Sequence, residues 1–219
     1  MRALIPFKLS NPKSRLSSLL SLEERRELAY NMLLDVVEVV GRFVDEMLVL
    51  VPPDTEAIVD FAKLKGVCAE GLEIVEDERD LNTAVNTRLE RNTAVIMSDL
   101  PLLTEEVLER FFQTEGDVVI SPGRRGGTNM LLVRVDGFRV SYHYGSFFKH
   151  LTIAKRMGLR VRIFDSFYAS LDIDEEDDLL ELLMHGEGKR SWRYLRSIGF
   201  DVDLSEKQPK LIRAFREPS

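Results

Sequence analysis

The 219-residue chain has a single cysteine, Cys68, which excludes an internal disulfide and any cysteine-built metal site. Cys68 lies in an apolar context and reads as a small core residue. No apolar run approaches the roughly 20 residues that span a bilayer. No leader is legible either, because residues 2–7 are short and broken by Pro6, and so read as a first strand. The phosphate-cradling pattern G-x-x-x-x-G-K-[ST] is missing, as is G-x-G-x-x-G after the first strand; these absences disfavour a P-loop NTPase and a standard dinucleotide fold. No serine-centred elbow and no H-E-x-x-H occur. The net charge of −7 argues against a nucleic-acid coat but leaves room for a local basic site. These points favour a cytoplasmic protein with neither a membrane nor a nucleic-acid partner. Repeats, low-complexity tracts and linkers are absent, so residues 1–219 read as one domain.

Composition is that of an ordinary globular protein, 44% hydrophobic and 31% charged, with length enough for one full α/β core. The stretch Thr93-Ala94-Val95-Ile96-Met97-Ser98-Asp99-Leu100-Pro101 is apolar on both faces, as a buried central strand is, and ends in an aspartate and a proline. Asp99 therefore sits at the carboxyl end of a strand, where α/β sheets bind ligands. A carboxylate there is a natural ligand for a hard cation such as Mg²⁺, which holds phosphates. The competing reading, that Asp99 caps the next helix, is weakened by Thr104, a good cap itself.

The loop after the first strand carries Lys8, Lys13 and Arg15, and its position puts these cations at the same sheet edge; a solvated basic loop is the alternative. Ser21 and Glu24 form a capping box for a helix to Val40, ended by Gly41. A strand over 46–51, a short helix from Asp54 to Leu64 ended by Gly66, and extended pieces at 67–69 and 72–75 follow. Asp80 caps a helix whose first turn holds Leu81, Asn82 and Thr83, with N–H groups suited to a phosphate or a base carbonyl. After the 117–121 strand, residues 121–129 combine three glycines with Arg124, Arg125, Thr128 and Asn129, a composition suited to an anion. The Asp136-Gly137 pair predicts a hairpin between 130–135 and 138–140. Gly145 and Ser146 lie at the start of a helix to Met157, another anion cradle, and His150 reads as a structural hydrogen-bonder. A strand over 159–164 follows. Asp172 and Asp174 share a face if extended. Asp174 reads as the cap of the next helix, with residues 175–178 complementing its dipole, which leaves Asp172 as the better second metal ligand. A last helix spans 191–198. The alternating 210–215 strand ends the chain and could pair with a second subunit to give a homodimer.

Several of these pieces, in order along nearly the whole chain, make it resemble a known family. They are Leu4-Ile5-Pro6-Phe7-Lys8, Lys13-Ser14-Arg15-Leu16, Leu81-Asn82-Thr83-Ala84-Val85, Met97 to Pro101, Gly126-Gly127-Thr128-Asn129, Gly145-Ser146-Phe147 with His150, and Leu171-Asp172-Ile173-Asp174. The resemblance is to the archaeal 2-phospho-L-lactate guanylyltransferases of deazaflavin coenzyme F-420 biosynthesis. It implies an α/β fold of the nucleotide-diphospho-sugar-transferase kind (Rossmann-like), a central mixed, mostly parallel sheet flanked by helices. It implies GTP and 2-phospho-L-lactate as substrates. Mg²⁺ would sit on Asp99 with Asp172, Asp174 in reserve, while Lys8, Lys13 and Arg15 steady the phosphates. Leu81, Asn82, Thr83 and Pro101 would lie at the nucleotide; Arg125, Gly127, Thr128, Asn129, Gly145 and Ser146 would hold the acceptor. The first loop lacks the glycine-rich pattern of the wider superfamily, and Glu175-Glu176 stands where Thr-Pro is common, a change expected to alter only the helix start. Phosphoenolpyruvate or 3-phosphoglycerate as acceptor, a sugar phosphate, and a nucleotide-binding protein without turnover are the alternatives.

Overall fold

A computed structural model describes residues 1–53, 55, 61–67, 71–205 and 207–214. Asp54, Cys68, Ala69 and Phe215, to which the sequence assigned roles, lie outside the described residues. Strands β1 (Arg2–Pro6), β2 (Glu46–Val51), β3 (Leu72–Glu76), β4 (Thr93–Ile96), β5 (Val118–Pro122), β6 (Thr128–Val133) and β7 (Val161–Ile163) form one sheet, ordered β3-β2-β1-β4-β6-β5-β7. Only β6 runs antiparallel to its neighbours. The sheet is thus mixed and mostly parallel.

Its inner strands, β2, β1, β4, β6 and β5, are largely apolar on both faces because both faces are covered there, as a mostly parallel sheet requires, whereas the edge strands β3 and β7 are partly exposed. Ala3, Ile5, Met47, Val49, Ala94, Ile96, Met130 and Leu132 point into one core. That core packs against helices α1 (Leu22–Val40), α4 (Glu105–Gln113), α7 (Glu176–His185) and α8 (Arg190–Ser197). The alternate residues Leu4, Leu48, Val95, Ile120 and Leu131 point the other way, toward α3 (Leu81–Asn86) and α5 (Ser146–Arg156). The sequence implies one apolar face for α1, but almost the whole helix is buried. Its outer side is covered by α8, whose first N–H groups, at Arg190 and Ser191, donate to the buried Asp35 carboxylate of α1. Two short helices, α2 (Phe61–Val67) and α6 (Phe167–Ser170), and a ribbon of β8 (Phe200–Asp203) with β9 (Lys210–Arg213) complete the elements. Among the described residues no helix is long and apolar enough to cross a membrane.

Three local expectations are corrected. Residues 138–140 form no hairpin with β6, because both edges of β6 are taken by β4 and β5. Phe138 and Val140 instead cover the second core, and the Asn86 side chain holds Val140 through both its N–H and its C=O. Gly66 does not end α2, which runs to Val67; one glycine costs a helix only ~1 kcal/mol. Glu175 rather than Asp174 is the N-cap of α7. The terminal strand β9 pairs along one edge with β8 of the same chain.

The fold fixes where a ligand belongs. The chain runs outward from β1 through β2 and β3, then returns to place β4 on the other side of β1. Strand order therefore reverses between β1 and β4, and the crevice outside their carboxyl ends is the switch point at which such sheets bind ligands.

Candidate active site

The loop leaving β1 folds over this crevice because its leucines are anchored in the core. Leu9, Leu16 and Leu20 are buried, and the polar residues between them are held outward. Arg25, in the first turns of α1, donates from Nη1 to Asn11 Oδ1 and to the Pro12 carbonyl, both at 2.8 Å. Lys13 follows in the left-handed region, at φ +51°, a conformation uncommon outside glycine. That strained residue turns its ammonium inward: Nζ donates to Asp99 Oδ2 at 2.6 Å and to Asp174 Oδ1 at 2.9 Å, and its side chain is only 9% exposed. Burial pulls the Lys13 pKa down, but the Asp99 and Asp174 carboxylates outweigh it and leave the group above its ordinary value.

Three aspartates meet here, Asp99 after β4 and Asp172 and Asp174 from one segment much later in the chain. The Ile173 N–H donates to the Asp99 carbonyl at 3.1 Å, stitching the loop after β4 to the 171–174 segment. One carboxylate oxygen from each of Asp99, Asp172 and Asp174 lies within 4.8 Å of the others. Asp172 is buried enough, and close enough to the Asp99 carboxylate, that its pKa rises. Burial also pushes the Asp174 pKa up, but Lys13 more than reverses it and the group titrates below its usual range. Two of the three carboxylates thus share one buried ammonium, and Asp172 stands beside them without it. The surplus negative charge and the all-oxygen donor set fit a divalent hard cation.

Behind Asp172 stands Asn129, whose Nδ2 donates to the Ala169 carbonyl at 3.1 Å and to Asp172 Oδ1 at 3.4 Å. A Cβ on Gly123 would fall 2.1 Å from Asn129 Oδ1, so only glycine lets this loop close on that side chain. Asp178, fully buried, accepts from the N–H groups of Asp174 and Glu175 at 2.8 Å each, and from the Arg124 guanidinium. It therefore sets the backbone from which Asp174 projects.

Two clefts join at this cluster. The first, about 680 Å³, is lined by Phe7, Lys8 and Pro12 after β1, by Leu50 to Pro52 after β2, by Asp77 to Leu81 after β3, and by Ser98 and Asp99. Its wall is braced at Asp77, whose carboxylate the Arg79 and Arg88 guanidinia hold well below the usual range. The second cleft, about 460 Å³, is lined by Arg15, Arg124, Arg125, Gly127, residues 142–145, Asp172 and Asp174. Lys8 thus faces the first cleft, Lys13 the junction and Arg15 the second. Gly127, Gly145 and Arg125 line the second cleft.

Other sequence candidates stand elsewhere. The α3 N–H groups of Asn82 and Thr83 are already taken by the Asp80 carboxylate, so this helix start offers no free cradle there. The Asn82 side chain accepts from the Tyr142 N–H at 2.5 Å and meets His143, tying α3 to the lip of the second cleft. Leu81 lines the first cleft, but Thr83 turns its hydroxyl to Asp80, and Pro101 is buried in the turn behind Asp99. Thr128 and Ser146 are buried in a hydrogen-bonded chain rather than open to the cleft: Ser146 Oγ donates to Thr128 Oγ1 at 3.2 Å, and Thr128 meets His150 Nδ1 at 3.0 Å. His150 Nε2 accepts from the Ser141 N–H at 2.9 Å, which leaves the proton on Nδ1. Burial pushes His150 down to about 4, so it is neutral and structural. Arg25 and Asp178 were not singled out from sequence; each looks like an ordinary charge in the first turn of a helix, and no local signal separates them.

Comparison with known proteins shows the family. A family model described as "Guanylyl transferase CofC like" matches residues 1–217. The chain is 58% identical over 219 residues, and over all of both chains, to a 2-phospho-L-lactate guanylyltransferase of Archaeoglobus fulgidus. It is 53% identical over 215 residues to the enzyme of that name from Ferroglobus placidus, covering 98% of this chain and all of that one. A solved structure from Desulfovibrio desulfuricans G20, assigned as a nucleotide-diphospho-sugar transferase, superposes with a TM-score of 0.66 at 16% identity, over 90% of this chain and 94% of that one. That likeness carries the fold alone.

Proposed function

The chain belongs to the CofC-like guanylyl transferase family, and we propose that it transfers GMP from GTP to the phosphate of 2-phospho-L-lactate, giving lactyl-2-diphospho-5′-guanosine and pyrophosphate in coenzyme F-420 biosynthesis. The observation that carries this reading is the meeting of Asp99, Asp172 and Asp174 around Lys13 at the junction of two clefts. The cleft after β1–β3 takes GTP; the cleft lined by arginines and by Gly127 and Gly145 takes the acceptor. We propose a cytoplasmic location with it, in keeping with GTP as co-substrate.

A phosphate oxygen of the acceptor attacks the α-phosphorus of GTP, a new P–O bond forms, and the bond to the β-phosphate oxygen breaks in line to release pyrophosphate. A phosphate monoester has its second pKa near 6, so the nucleophile is mostly dianionic at neutral pH and needs no general base. The obstacle is electrostatic: two unit charges at ~4 Å repel by ~4 kcal/mol at an effective dielectric near 20. Lys8 and Lys13 present ammonium groups to the triphosphate, and Arg15 and Arg125 present guanidinia to the acceptor. Asp99, Asp172 and Asp174 would hold Mg²⁺, which would supply neutralising charge for the phosphates brought together here. Thr128, Ser146 and His150 hold the acceptor wall from behind.

The test is pyrophosphate release from GTP with 2-phospho-L-lactate and Mg²⁺. Release in proportion to acceptor is expected, and its absence from the wild-type protein would overturn the assignment. Phosphoenolpyruvate and 3-phosphoglycerate carry the same two anionic groups, and kcat/KM across the three acceptors ranks them.

A further inference from the structure

The arginines of the acceptor cleft are all engaged by the protein's own carboxylates, but not in the same way. Arg124 is paired with Asp178, which is 1% exposed and also holds two backbone N–H groups. Asp178 cannot leave without stranding those groups. Arg125 is paired with Glu175 at the cleft's surface, where its side chain is 66% exposed and that of Glu175 34%. Both Nη atoms of Arg125 donate, one to each Glu175 oxygen, the planar fork that guanidinium offers any carboxylate. Glu175 Oε1 also lies 3.6 Å from Arg15 Nη1, so one carboxylate spans two arginines that line the cleft. Asp172, Asp174 and Asp178 complete the nearby acidic groups, and each has another partner: Asn129, Lys13 or Arg124.

The start of α7 does not rest on the Glu175 side chain alone: the Asp178 N–H that it meets in a capping box also donates to the Glu175 carbonyl at 3.1 Å. The backbone N–H of Glu175 is satisfied by Asp178, and Glu176, Asp177 and Asp178 supply the first-turn negative charge. Exposed pairs contribute little net stability, so this one exchanges at small cost. Arg125 itself is aimed by its backbone, at φ +60° in a tight turn whose Gly123 N–H donates to the Gly127 carbonyl.

We propose that Glu175 is a built-in stand-in for the acceptor's carboxylate: it occupies the Arg125 fork and gives it up when a phosphorylated hydroxy acid binds, so that Arg125 selects phosphate esters carrying a neighbouring carboxylate. This rests on the assignment of the second cleft to the acceptor. Carboxylate is exchanged for carboxylate at Arg125, and the displaced Glu175 turns to solvent.

The test measures binding by calorimetry, and KM and kcat by pyrophosphate release, for the wild type, Glu175→Gln, Arg125→Gln and the double variant. The ligands are 2-phospho-L-lactate and ethyl phosphate, the same ester without the carboxylate; thermal midpoints establish that each variant folds. Glu175→Gln is expected to lower Kd and KM for 2-phospho-L-lactate about three- to tenfold, with a smaller effect on kcat and at most about twofold on ethyl phosphate. Arg125→Gln should raise both constants at least about tenfold for the carboxylate-bearing ligand only, and Glu175→Gln should add nothing in that background. Unchanged or weaker binding in Glu175→Gln overturns the inference. An equal gain for both esters does so too, because it would report net charge alone. Either result, with wild-type turnover intact, leaves the assigned reaction standing. Failure of 2-phospho-L-lactate to bind any of the four proteins overturns both.

Discussion

The two clefts that meet at the aspartates are built on opposite principles. On the side that we assign to the nucleotide, the cation is buried and fixed: Lys13 sits in a loop pinned by core leucines and by Arg25, and its ammonium is locked between Asp99 and Asp174. On the side that we assign to the acceptor, Arg15 and Arg125 are exposed, and Asp174 and the α7 cap Glu175 neutralise them. The first arrangement stores geometry; the second stores charge balance. A triphosphate binds with many contacts and tolerates a rigid seat. A small acceptor carrying several charges benefits from cations that change partners, because releasing one carboxylate to take another costs little desolvation.

The sharpest way to break this contrast is at the junction, which serves both sides. Asp99→Asn should reduce pyrophosphate release by at least about 100-fold, the range seen when a preorganised charge at a reacting centre is lost. Equal loss at saturating GTP and at saturating acceptor would place Asp99 between the clefts; an effect confined to one KM would assign it to that side alone. Next is Asp178→Leu, which leaves Arg124 and two backbone N–H groups without their acceptor. It should destabilise the protein by about 3 kcal/mol in denaturant titration, with the acceptor KM rising more than the GTP KM. Arg25→Met removes two hydrogen bonds to the Lys13 loop. It should cost about 1–2 kcal/mol and raise the KM for GTP while sparing the acceptor, the mirror image of Asp178→Leu.

His150 gives a pH test of the acceptor wall. Its folded pKa, near 4, lies below an unfolded value near 6.5, so the folded state binds fewer protons and stability rises with pH between the two. This contribution is complete above about pH 6.5 and is lost as pH falls toward 4, at up to ~1.4 kcal/mol per pH unit. Unfolding titrations of wild type and His150→Gln over that window should differ in slope, with the variant flatter. Equal slopes would mean that the ring is not buried as described.

Much of the fold was legible in the sequence because its inner strands are largely apolar on both faces and its helices carry plain start signals. The capping box at Ser21 and the caps at Asp80 and Thr104 are all present in the structure. The 138–140 hairpin failed because turn chemistry is local, whereas strand pairing depends on which edges remain free. Within the site, the convergence of Asp99, Asp172 and Asp174 could be anticipated from strand-end position and resemblance. The internal pairing of the basic residues could not. Lys13 and Arg125 read as free donors, yet each is held by a carboxylate from a segment about 50 or more residues away. Glu175 shows the same limit: as a substitution in a helix cap it looked local, but its side chain reaches two arginines.

The most direct test of the shared junction is Mn²⁺ binding, followed by electron paramagnetic resonance with the metal alone and then with GTP added. One saturable site is expected in the wild type, tightened by GTP and weakened at least about tenfold by Asp99→Asn and by Asp172→Asn alike. Undiminished binding in either variant would show that the aspartates from the two sides do not hold a common ion, and the junction would lose its meaning.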